Sequence, residues 1–134
     1  MQLTKNFYKI EFESRDGAKM PDHVIQNIKE LADNLQKVRD ILAEAININS
    51  GYRSEAHNKI VGGVKNSQHL LGKAADVSMK NYTSKELAVI FEDLILNGVI
   101  KEGGLGLYNG FVHYDIRGTR ARWNLSTKYK DFYK

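Results

Sequence analysis

The chain has 134 residues, room for one domain, with 42% hydrophobic and 27% charged residues, so it holds enough apolar material for a single core and does not read as disordered. It contains no cysteine, which excludes disulfides, cysteine nucleophiles and every cysteine-based metal site; a bound metal has to use His, Asp or Glu, and there are four histidines. Twenty basic residues against 16 acidic ones leave a net charge of +4, thickening only at Arg117, Arg120, Arg122, Lys128, Lys130 and Lys134. That is weak support for an anionic partner, and a solvated surface explains it as well.

No run approaches the roughly 18 apolar residues of a membrane span, so no membrane insertion is expected. The N-terminus, Met1 to Ile10, has no apolar core of signal-peptide length, so the chain as written reads as not addressed for secretion. Phe7 to Glu13 places apolar and charged residues by turns, which suits a short strand. Pro21 and Asp22 open a long stripe, Val24, Ile25, Ile28, Leu31, Ala32, Leu35, Val38, Ile41, Leu42, Ala45 and Ile46, one face of a helix of about seven turns. The stripe is wider than a coiled-coil seam, so this is the main core helix. His23 falls in its first turn as a surface residue.

Ile46 to Tyr52 suits a strand. Asn58 to Leu71, rich in glycine and polar residues, reads as an irregular loop. Ala74 to Met79 is a second strand. Thr83 and Glu86 form a capping box before the apolar positions Leu87, Ile90, Phe91, Leu94 and Ile95, and Gly98 ends that helix. Apolar-alternating runs flank Asn109-Gly110, the strongest short hairpin signal. The sum is an α+β fold, helices packed on a small, largely antiparallel sheet, with residues 1–134 as a single domain.

Three histidines invite chemistry. His69 lies in Ser67-Gln-His69-Leu-Leu-Gly72-Lys-Ala74-Ala-Asp76. Gly72 permits a tight turn after it, and the small Ala74 and Ala75 let the backbone pack closely. A His and an Asp seven apart across a turn can point to one place, and imidazole with carboxylate is a reasonable pair of zinc ligands. On the second hairpin strand, His113 and Asp115 share one face with Phe111 and Arg117, and Val112, Tyr114 and Ile116 take the other. His69, Asp76 and His113 would supply three ligands and leave a fourth position open, the mark of a catalytic rather than a structural zinc site. Taken singly, each has a plainer reading: a hydrogen-bonded half-buried histidine, or a turn or cap aspartate.

Read together, these segments resemble a known family. Ser67-x-His69-x-x-Gly72-x-Ala74-x-Asp76 resembles the S-x-H-x-x-G-x-A-x-D signature of the zinc D-Ala-D-Ala carboxypeptidases and peptidoglycan endopeptidases, which share their fold with the hedgehog signalling domain. Ser50-Gly51-Tyr52-Arg53-Ser54 resembles the family's upstream segment, and Phe111-Val112-His113-Tyr114-Asp115-Ile116-Arg117 its closing one. The resemblance implies one zinc ion on His69, Asp76 and His113, and Arg53 facing the active site to hold a substrate carboxylate or the oxyanion. It also implies peptidoglycan stem peptides as substrate. Ser67 and Arg117 are candidate substrate-binding residues, and Arg117 has the alternative of pairing with Asp115.

The sequence departs from the family at Gly110, where many members carry a catalytic Glu or Asp three residues before the last histidine. Asp115 is the best replacement as proton carrier, slightly ahead of a rival role in which it orients a ligand imidazole. His57 ranks below the other histidines because the resemblance gives it no role. Tyr108 and Trp123 are candidates to flank a cleft, but packing in the core or at the rim is the stronger reading. The alternatives are a zinc domain that binds wall peptides or a protein without cutting, and a nucleic-acid binder that rests on charge alone and leaves the histidines unexplained. No nucleic acid is expected as partner, and a monomer is expected.

Overall fold

The computed structural model describes residues 1–132. Lys134, counted in the basic C-terminal stretch, lies outside the described residues. Three helices, α1 (Asp22–Leu42), α2 (Glu55–Ile60) and α3 (Ser84–Leu96), pack with five strands: β1 (Asn47–Ser50), β2 (Ala74–Ser78), β3 (Gly104–Leu107), β4 (Val112–Asp115) and β5 (Ala121–Asn124). The sheet order is β1-β2-β4-β3-β5, antiparallel except for the parallel β3–β5 pair. The α+β expectation therefore holds, and so do the capping box, the hairpin and the α1 stripe as far as Val38, whereas Ile41 is exposed.

The two faces of the sheet divide the molecule. Ala75 and Val77 of β2, Leu105 and Leu107 of β3, and Val112 and Tyr114 of β4 point into one core with Val24, Ile28, Leu31 and Leu35 of α1 and Leu87 and Phe91 of α3. Tyr114 meets Phe91 edge to face at 5.4 Å, and its hydroxyl donates to the Lys101 carbonyl at 2.6 Å. Period-two alternation then sends Asp76, His113 and Asp115 to the opposite face. In β3 that face carries Gly104 and Gly106, so the Gly-Leu-Gly-Leu sequence is itself the two-faced pattern: leucines inward, bare backbone toward the site.

Four local readings are corrected by the structure. Residues Phe7 to Glu13 form a 3-10 turn at Lys9–Phe12 rather than a strand. Glu11 accepts from the Tyr8 N–H at 2.7 Å, the turn buries Phe7 and Phe12, and Ile10 is left 70% exposed, which no one-faced strand would do. Helix α1 ends at Leu42, short of Ala45 and Ile46, because Ala43 turns left-handed at φ 52°. Ile46 is buried beyond the helix, not on it. The stretch Asn58 to Leu71 is not irregular throughout: α2 starts at the Ser54 cap and Gln68–Leu71 is a 3-10 turn. Strand β5 joins the sheet where no strand was expected.

The three arginines of the basic C-terminal stretch are paired with carboxylates. Arg117 pairs with Asp115, and Arg120 and Arg122 pair with Glu92 and Glu102. Lys128 and Lys130 stay exposed. Among the described residues no helix is long and apolar enough to cross a membrane.

Candidate metal centre

His69, Asp76 and His113 come together as a buried group whose ligand atoms all lie within 4.8 Å of one another. Each arrives by a local device. Ser67 caps the 3-10 turn Gln68–Leu71 by accepting from the His69 N–H at 3.1 Å. The turn closes on Gly72, which sits at φ 73° in the left-handed region. A Cβ at 72 would also press within 2.6 Å of the Val24 side chain and 2.9 Å of its carbonyl oxygen, so glycine is required on two counts. Asp76 and His113 face each other directly across the β2–β4 ladder. Opposed positions in an antiparallel pair hold their side chains close together.

The hydrogen bonds around the three side chains set what they can bind. His69 Nδ1 lies 2.7 Å from the Gly51 carbonyl, and His113 Nε2 lies 2.6 Å from Asp115 Oδ2. A carbonyl and a carboxylate only accept, so both outer ring nitrogens carry protons, and in the neutral rings the inner ones present lone pairs. Those inner atoms, His69 Nε2 and His113 Nδ1, each stand 3.3 Å from Asp76 Oδ1. The other carboxylate oxygen, Oδ2, accepts from Arg53 Nη2 at 3.1 Å. Three acceptors thus converge with no donor of their own between them, which calls for a cation. Neutral imidazole nitrogens and a carboxylate oxygen are a donor set suited to zinc.

Without a cation, a proton held between His113 and Asp76 would be needed to offset the converging acceptors, and the surroundings of both groups favour it. Burial alone would push His113 down, yet hydrogen bonds and charge from Asp115 and Asp76 hold it above the ordinary histidine value. Burial alone would raise Asp76, but both histidines hold it well below the usual carboxylate range.

Asp115 is completely buried. Besides His113 it takes Arg117 Nε and Nη2 at 2.9 and 2.7 Å and the Gly104 N–H at 2.8 Å. Burial works to raise its pKa, and His113 and Arg117 hold it well below the usual range. It stands behind His113, away from the cleft. A side chain at Gly104 would collide with Asp115, and one at Gly106 with the Trp123 indole. These glycines, with the Gly51 carbonyl, are the site residues that sequence reasoning missed. The alternation of glycine with leucine in β3 was the available signal.

Arg53 spends three N–H groups, on Ser50 Oγ, Asn58 Oδ1 and Asp76 Oδ2, all between 3.1 and 3.2 Å. A guanidinium has five N–H groups, so one remains on each terminal nitrogen. Asn58 in turn donates to the Val64 carbonyl at 2.9 Å, tying α2 to the loop beyond it. The metal group opens into a cleft of about 710 Å³ lined also by Arg53, Ser67, Tyr108, Phe111, Arg117 and Trp123. Trp123 lies 4.9 Å from the His113 ring, and the Arg117 guanidinium sits 5.7 Å above the indole. Tyr108 and Trp123 are therefore cleft-wall residues as well as packing ones. Asp76 is the only carboxylate among the described residues lining the cleft. His57 sits on α2, with its backbone N–H on the Ser54 hydroxyl, and does not line the cleft. His23 is exposed in the first turn of α1.

A family model described as Peptidase M15 matches residues 4–115. No curated protein matches the chain.

Proposed function

The chain belongs to the peptidase M15 family, the zinc D-Ala-D-Ala carboxypeptidase-like metallopeptidases, and from that premise we propose that residues 1–134 act as one domain that hydrolyses the stem peptides of peptidoglycan, as a D,D-carboxypeptidase or an endopeptidase of the phage-lysin kind. The observation that carries this reading is the convergence of three buried acceptor atoms at the head of a peptide-sized cleft beside a guanidinium. His69, Asp76 and His113 would hold zinc, which when bound supplies a Lewis acid that polarises a carbonyl and activates water.

The protein's own groups then have separable tasks. Arg53 holds Asp76 in place with one N–H and offers its two uncommitted ones to a substrate carboxylate or to charge developing on the carbonyl oxygen. Asp115 was expected as proton carrier or as orienting group; full burial and complete hydrogen bonding support the orienting role, which fixes the His113 tautomer. Arg117 is held by Asp115 through Nε and Nη2, which leaves Nη1 for an acidic group of the substrate. Ser67 contributes by shaping the turn that presents His69, at the edge of the same cleft.

The test is metal analysis followed by digestion. The purified protein, after zinc addition and gel filtration, should retain about one zinc per chain, and His69→Ala and His113→Ala should lose it together with release of fragments from purified peptidoglycan. Mass spectrometry of those fragments identifies the bond cut. Absence of zinc from the parent protein defeats the reading. A second reading, a zinc domain that binds wall peptides without cutting them, is favoured by one observation: no carboxylate other than Asp76 faces the cleft among its described lining residues. Retained zinc with no fragment released would select it.

A further inference from the structure

The cleft wall also holds a hydroxyl whose direction is forced. Trp123 Nε1 donates to the Tyr108 hydroxyl oxygen at 3.1 Å. An indole N–H can only donate, so Tyr108 has to accept there, and its own O–H is left to point elsewhere. Among the described residues that O–H has no acceptor. Its ring cannot swing freely to find one, since it is stacked on Phe111 at 4.5 Å and 12°. The backbone beneath is pinned too: the Tyr108 N–H donates to the Phe111 carbonyl at 3.1 Å, and Ser84 Oγ donates to the Tyr108 carbonyl at 2.6 Å. The indole that sets the hydroxyl's polarity packs against bare backbone at Gly106 and stands 4.9 Å from His113. Tyr108 therefore presents a fixed donor one indole ring away from the metal group, on the wall of the same cleft.

We propose that Tyr108 is a substrate-binding residue whose hydroxyl donates to a backbone carbonyl or carboxylate oxygen of the peptide lying across the metal centre, with Trp123 acting as the positioning residue that orients the donor. The proposal rests on the peptidase reading and adds to it a contact that distinguishes peptides from small metal-binding anions. A donor whose direction is preset costs less ordering on binding than a free rotor, which is the advantage of holding it through an indole.

The test compares two kinds of probe on the zinc-loaded protein by calorimetry. Acetohydroxamate engages only the metal. Phosphinate isosteres of acetyl-D-alanyl-D-alanine and acetyl-L-alanyl-D-glutamate engage the metal and run peptide in both directions along the cleft. Tyr108→Phe keeps the ring and its stack. It should weaken the tighter-binding isostere about threefold to tenfold, the worth of one neutral hydrogen bond, and leave acetohydroxamate affinity and zinc content unchanged. Trp123→Phe, which releases the hydroxyl to turn, should weaken the isostere in the same direction by less than that. Equal isostere affinity in Tyr108→Phe overturns the proposal, and so does parallel loss of both probes, which would make Tyr108 a structural support of the site. If neither isostere binds the parent more tightly than acetohydroxamate, the peptidoglycan reading fails and the proposal falls with it.

Discussion

Replacing Asp115 by asparagine separates orientation from proton transfer. The carboxylate meets donors on every side: His113 Nε2 at 2.6 Å, Arg117 Nε and Nη2 at 2.9 and 2.7 Å, and the Gly104 N–H at 2.8 Å. An amide keeps one acceptor oxygen and puts an NH2 where the second was. If the oxygen stays with Gly104 and Arg117 Nε, the NH2 confronts His113 Nε2–H and Arg117 Nη2. His113 escapes only by moving its proton to Nδ1, the atom that faces Asp76 and would bind the metal. The variant should therefore bind zinc about 10- to 100-fold more weakly, the usual cost of losing a carboxylate behind a metal-binding histidine.

Stability should fall as well. Two charge-assisted hydrogen bonds are lost at about 1.5–3 kcal/mol each. The Arg117 side chain is 29% exposed and recovers part of this from water. The net expectation is about 2–4 kcal/mol on the metal-free protein. Urea unfolding of the chelated forms reads the stability, and competition with a chromophoric chelator reads the affinity. An Asp115→Asn protein that keeps parental zinc affinity to within about twofold, yet no longer releases peptidoglycan fragments, would refute the orienting role and restore Asp115 as the proton carrier.

Two backbone substitutions test the devices that place the site. Gly72→Ala should cost about 2–4 kcal/mol in urea unfolding, summing left-handed strain with the collision against the Val24 side chain and carbonyl. Ala43→Gly should stabilise by about 0.5–1 kcal/mol, because Ala43 is an exposed residue held at φ 52° to stop α1, where glycine carries no Cβ penalty.

What the sequence made legible followed from local periodicity. The α1 stripe, the Thr83–Glu86 box and the alternation of β4 each repeat a spacing that one element alone explains, and the His69-to-Asp76 segment carries its turn glycine inside it. What was illegible depended on partners far along the chain. Helix α2 has no apolar stripe; its buried residue is Asn58, which is inside because Arg53 and the Val64 carbonyl satisfy its amide. Strand β5 exists by pairing in parallel with β3, and no feature of Ala121 to Asn124 announces that neighbour. The 3-10 turn at Lys9–Phe12 resembled a strand because Phe7 and Phe12 bracket charged residues, and only burial shows that Ile10 faces water. For Asp115, strand alternation fixed the face and left its role open. Arg117, two residues on along the same face, was within reach in the sequence, but the Gly104 backbone that completes its burial behind the histidine comes from another strand.

The metal centre and the core lie on opposite faces of the same sheet, and that arrangement predicts how metal and stability are coupled. A domain whose folding energy comes from its zinc ligands unfolds when the ion is removed. Here Leu105, Leu107, Val112 and Tyr114 bury the far face against α1 and α3 whether or not the three ligands hold a cation, so chelation should leave a folded protein with a lower Tm. Zinc at 100 to 1,000 times its Kd adds about 2.7–4.1 kcal/mol by mass action. The size of that gain should depend on pH with a definite sign. His113 is raised in the metal-free fold, so its contribution is fully present below the unfolded histidine value of about 6.5 and is lost as pH rises through the folded one. Zinc requires the deprotonated ring, so its binding strengthens over the same range. The Tm difference between zinc-loaded and chelated protein should therefore widen from pH 6 upward, chiefly because the chelated form loses stability. Calorimetric scans of both forms across that range check it, and a gap that stays constant would mean that no proton occupies the place between His113 and Asp76 when the metal is absent.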